Sequence, residues 1–146
     1  MCFLIAADMR TDLSDLKPRS TTWDDDARLI GWSQLGADRL PEGRVRMLGY
    51  MMDGYKYARD GVPVAMFVLM PGAGHFMHPA HRDPDQMVEV WPKPGHVVFK
   101  NRELVRASGT FVRVPGPLRE EHAQYALYNA SVTPASYGDI ANWFVP

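Results

Sequence analysis

Residues 44–70 read RVRMLGYMMDGYKYARDGVPVAMFVLM, and the division of this stretch into elements decides the fold. Its first part alternates, with Arg44 and Arg46 on one side and Val45 and Met47 on the other, the pattern of a half-buried strand. After Gly49 both sides become apolar. A glycine inside a strand marks a sharp bend or a close backbone approach. DGYKYARDG then reads as a turn or hairpin tip. VPVAMFVLM, residues 62–70, is a continuous apolar run of strand length and is expected to be the most buried strand.

Working downstream, QMVEVW (86–91) is a short strand with Val88 and Val90 inward, ended by PKPG. HVVFKNRELV suggests a small hairpin around Lys100 and Asn101. SGTFVRV (108–114) alternates Thr110, Val112 and Val114 against Phe111 and Arg113, and the valines are expected inside. QYALYNASV supplies a strand over 125–132, and TPASYGDIANWFVP a loop with about one helical turn. Upstream, TWDDDARLIGWSQLG over 22–36 reads as a short helix. Thr22 or Asp24 would cap it, its aspartates would suit the positive end of the helix dipole, and Gly36 would stop it. These elements predict a mainly β fold: a small OB-like antiparallel β-barrel of Greek-key type with one short N-terminal helix, the alternative being a β-sandwich. Residues 1–21 form a lead-in, and 22–146 a single barrel domain.

The chain has 146 residues, 46% apolar and 23% charged, which suits one globular core. A net charge of -1 and a pI near 6.5 give no overall field toward nucleic acid or anionic lipid. No run approaches the ~20 apolar residues of a membrane-spanning helix. Cys2 is the single cysteine, which leaves no internal disulfide and no cysteine-based zinc site. MCFLIAADM reads as an N-terminal strand or frayed end. If it is instead a trimmed signal or a lipoprotein start at Cys2, the location is the cell envelope; otherwise it is the cytoplasm.

The richest chemistry lies in GAGHFMHPAHRDPDQ, residues 72–86, where His75, His78 and His81 recur every third residue ahead of Asp83 and Asp85. Imidazoles with a carboxylate such as Asp83 are ligands that zinc and copper both accept. The glycines and prolines forbid a helix, so a folded-back loop has to converge them. The plainer reading has His78 held by a loop carbonyl, the other two solvated, and the loop serving as a surface for a protein or small ligand. The expectation is binding over turnover, because no nucleophile elbow or phosphate cradle is present. A metal-dependent hydrolase using the same loop is the alternative from the enzyme class.

A single-strand nucleic-acid module is a third reading. It rests on Tyr50, Tyr55, Tyr57, Phe111, Arg44, Arg46 and Arg113, since aromatic platforms flanked by arginine hold single strands on OB barrels. The net charge argues against it. Nine methionines, with Met47, Met51, Met52, Met66, Met70 and Met77 close together, could bind copper(I), but within apolar strands they read as core filler.

The order of these features resembles a bacterial family, domain of unknown function 3299. The matching residues are Trp32 and Leu35, then Val45, Gly49 and Tyr50, then Phe67, Val68, Leu69 and Pro71. Gly74, His78, Pro84, Asp85, Gln86 and Val88 follow, so the resemblance spans about residues 30–114. Where the family pattern has a cysteine two residues before the histidine, this chain has Phe76, and Asp85 stands where the family has asparagine. The resemblance implies an envelope location and no particular reaction, and the departure at Phe76 removes any Cys-His chemistry.

Overall fold

A ring with an odd number of strands cannot close with every neighbour antiparallel, so a five-stranded barrel needs one parallel pair. This chain supplies it. The computed structural model describes residues 12–19, 23–24, 27–35, 43–53, 58–72, 86–93, 95–114 and 123–145. The first half carries β1 (Lys17–Pro18), β2 (Trp23–Asp24), β3 (Ala27–Leu29), a 3-10 turn at Trp32–Gln34, β4 (Gly43–Met52), β5 (Pro63–Val64) and β6 (Phe67–Met70). Then come β7 (Val88–Pro92), β8 (Val97–Val98), β9 (Leu104–Arg113), β10 (Tyr125–Pro134), α1 (Tyr137–Trp143) and β11 (Phe144–Val145).

Strand β4 pairs antiparallel with both β6 and β9, β6 with β7, and β9 with β10. The parallel β7–β10 pair closes the ring. Numbered along the chain, the barrel strands run 1-2-3-5-4-1, the OB-type Greek key. The closed ring sets the sandwich alternative aside. Gly49 sits where the barrel closes tightly: a Cβ there would lie 2.6 Å from Leu69 Cγ and 3.0 Å from the Met70 carbonyl oxygen.

Strand β4 is buried on both faces after its first two residues, as its two-sided apolar sequence requires. Val45, Met47 and Met51 share one side with Leu69 and Ala107 and form the barrel interior. Leu48, Tyr50 and Met52 point outward with Val68 and Met70, and all five are nonetheless buried. A second layer covers them. Leu13, Ile30, Trp32 and Leu35 join the same core, and β1 pairs with β11 to tie the two ends of the described chain together. Val68→Ala should therefore cost about 1–3 kcal/mol; an unchanged urea midpoint would show that this outer layer contributes nothing.

Among the described residues of the expected helix over 22–36 no α-helix forms, and the short helix lies near the C-terminus instead. Ala27 and Leu29 are buried around exposed Arg28, a period of two, and β3 lies parallel against the edge of β4. The Ile30 amide donates to the Arg46 carbonyl at 3.1 Å. Pairing with an open strand edge outweighs local helix propensity. At the other end α1 starts where the Asp139 carboxylate accepts the Ser136 amide at 2.9 Å, placing an acid on the positive helix end.

Three further expectations change. Arg46 is 7% exposed, not solvated, because Trp143 of α1 covers its guanidinium with the ring centroid 4.7 Å from Cζ. On β9 Phe111 is inside, while Val112 and Val114 are only half-buried. Opposite Phe111 on β4 stands Gly43, which has no side chain, and the Phe111 ring stacks on Tyr125 with centroids 5.5 Å apart. Val97 and Val98 pair with β5 rather than with Leu104. The bend after β8 places the Lys100 amide on Met51 Sδ at 3.2 Å and passes through Arg102 at a φ of 65°.

Candidate functional site

Leu69 and Val88 are register partners, so residues 71–87 connect two paired antiparallel strands. Such connections usually need about 2–5 residues. Both stems of this long excursion are pinned. On the first, the Pro71 carbonyl accepts the Leu13 amide at 2.8 Å, and Pro71 and Gly72 are buried. On the second, Met87 is fully buried and Gln86 Nε2 donates to the Trp32 carbonyl at 3.2 Å. Trp32 is itself fixed, with its indole Nε1 donating to the Leu48 carbonyl at 2.8 Å. Rigid stems under a long polar loop are the usual arrangement of a binding loop on a scaffold.

The residues expected to bind metal, His75, His78, His81 and Asp83, lie outside the described residues, as do Asp85 and Met77. Among the described residues no three His, Cys, Asp or Glu side chains gather as a metal site. The surrounding rim is defined by register. Val88, Tyr125, Arg113, Phe111 and Gly43 follow one another across neighbouring strands, so the ends of β9, β10 and β4 meet the loop stems at one end of the barrel. Arg113 is exposed there, its Cζ 5.8 Å from the Tyr125 ring centroid. The opposite end holds a groove of about 180 Å³ over Met51, Val105 and Val132, with Lys100 and Glu103 4.0 Å apart on its rim.

The other candidates sort by burial. Of the residues expected to contact nucleic acid, Tyr50 and Phe111 are enclosed in the core and Arg46 is buried, so none of the three presents a platform. Arg44 and Arg113 are exposed, while Tyr55 and Tyr57 lie outside the described residues. Met47, Met51, Met52 and Met70 are buried among apolar neighbours and fill the core. Trp91 and Tyr128, which carry no motif in the sequence, are both exposed. The alternation that puts Val88 and Val90 inside already sends Trp91 outward. Among the described residues no helix is long and apolar enough to cross a membrane.

No protein-family model and no curated protein matches the chain. A solved structure of a DUF3299 family protein from Pseudomonas aeruginosa is similar to it with a TM-score of 0.54 and 21% identity. The likeness covers 77% of this chain and 99% of that one. At that identity it speaks for the fold, and the fold is that of the family the sequence motifs resemble. The chain thus shares its architecture with a domain of unknown function 3299 protein, which supports the resemblance read from Trp32 through Val88.

Proposed function

We propose that this chain is a binding or accessory protein of the DUF3299 kind, not a catalyst, and that the 72–86 loop is its ligand-contacting element. In this reading His75, His78 and His81, with Asp83, take a divalent cation, zinc or copper. The observation that carries it is the pair of buried stems, Pro71 and Met87, holding a histidine-rich loop far longer than the β6–β7 connection needs. The resemblance adds the cell envelope as the place of action, which fractionation of producing cells tests.

Untagged protein should retain zinc or copper on elemental analysis. Adding the metal at about 100 times its Kd should stabilise the fold by about 2.7 kcal/mol, because the ion binds only the folded state. A proton competes with the metal for each imidazole, so the gain should fade as pH drops through ~6.5. His78→Ala should abolish both metal retention and stabilisation. A variant that keeps both would end the metal reading and leave the loop as a surface for a protein or small organic ligand.

A further inference from the structure

Four barrel strands carry one continuous outward row that neither the core nor the loop stems use. Arg44 of β4 is the register partner of Thr110 on β9, and Thr110 is the partner of Tyr128 on β10. Tyr128 stacks beside Trp91 of β7, with ring centroids 6.1 Å apart and planes inclined by 21°. Directly opposed residues project from the same side of a sheet, so the row runs from a guanidinium to an aromatic pair. With strands about 4.8 Å apart it spans ~14 Å.

The adjoining rows add hydroxyls. Ser131 opposes Ser108, whose Oγ accepts from Arg44 Nη2 at 3.3 Å. Thr133 opposes Arg106 and accepts its Nε at 3.2 Å. Among the described residues Arg44 and Arg106 therefore bond to neutral oxygens and to no carboxylate. Glu89, the acid on this face, accepts the Trp91 indole N–H at 3.2 Å and is occupied there. Trp91 is 37% and Tyr128 42% exposed, leaving a paired aromatic surface open to water.

We propose that this face binds a carboxylate-bearing oligosaccharide. The C–H face of a sugar ring carries partial positive charge and stacks on the electron-rich rings of Trp91 and Tyr128. The serine and threonine hydroxyls exchange hydrogen bonds with ring hydroxyls, and each guanidinium accommodates a carboxylate in a two-pronged contact. A polynucleotide fits less well. Holding single strands takes a positively charged groove along the backbone, whereas this chain carries a net charge of -1 and, among the described residues, the face sets Arg44 and Arg106 among hydroxyls.

This site uses no residue of the 72–86 loop, so the test is run in EDTA, where the metal reading plays no part. Full-length protein is titrated with tetragalacturonate, beside a neutral cello-oligosaccharide of equal length and an oligothymidylate, by calorimetry and tryptophan emission. Tetragalacturonate should bind saturably and in preference to both controls. Trp91→Ala and Tyr128→Ala should each weaken binding about tenfold, the scale of one lost ring contact. Arg44→Ala should lower affinity for the uronate and not for the neutral sugar. Thermal midpoints of the variants report whether they remain folded. Failure of the uronate to bind, equal or tighter binding of either control, or unchanged affinity in folded Trp91→Ala overturns the assignment.

Discussion

Gly109→Ala should lower stability by about 3 kcal/mol, the upper part of the range for overpacking a filled site. A Cβ at this position would lie 2.7 Å from the Tyr128 carbonyl oxygen and 3.2 Å from Ala130 Cα. Both are backbone atoms, so no side-chain rotation relieves the clash. Strand β10 is already bulged here: the register with β9 shifts between Tyr128 and Ser131, and Asn129 has a φ of 52°. The same strand bonds β7 on its other side, the parallel pair that closes the barrel. Pushing β10 away from β9 therefore strains the closure itself. In a chain of this size the melting midpoint should fall by ~6–12 °C. Gly49→Ala makes an informative companion, because its nearest obstacle is the Leu69 side chain, which can rotate. Should Gly109→Ala melt with the parent, the close approach of β9 to the bulge is not rigid and the argument fails.

The second large effect is expected at Trp32. Trp32→Ala should cost about 3–5 kcal/mol through lost burial and the cavity left behind. The side chain is fully enclosed, and its indole N–H satisfies the Leu48 carbonyl of β4 at 2.8 Å. Trp32→Phe separates the two contributions. It keeps most of the apolar area and removes the hydrogen bond, so it should cost about 1–3 kcal/mol. Because the Trp32 carbonyl also accepts from Gln86, hydrogen exchange at 86–88 should speed up in the alanine variant. Equal urea midpoints for Trp32→Ala and the parent would mean that the outer layer does not hold the barrel.

The candidate site was legible as chemistry but not as geometry. Three histidines at three-residue spacing mark the 72–86 loop in the sequence. That its two stems are strand partners, buried and bonded to Leu13 and Trp32, follows only from the fold. The exposed row from Arg44 to Trp91 was less visible still. Its members come from four strands distributed over residues 44–128, and only the register sets them side by side.

The sequence by itself determined where the barrel strands lie. Alternation in RVRM, the apolar run VPVAMFVLM and the Gly/Pro punctuation are local signals, and strands form throughout 44–52 and 125–132 and over 88–91 and 108–113 of the expected 86–91 and 108–114. The expected strand 62–70 is divided: Phe67–Met70 is the buried barrel strand, whereas Pro63–Val64 pairs with Val97–Val98 in a separate sheet and Val64 and Met66 are only half-buried. It also determined that β4 is covered twice, because apolar residues on both faces have no other stable place. Only the tertiary structure decided which face of β9 is inward, since alternation separates Phe111 from Val112 without saying which one meets the core. It likewise turned Ala27–Leu29 into a strand, where the β4 edge offered backbone partners that a local helix signal cannot register. Burial of Arg46 came from Trp143, far along the chain, and the parallel β7–β10 pair came from closing a ring of five. Each of these outcomes depends on a partner distant in sequence, and local propensity holds no information about where that partner will be.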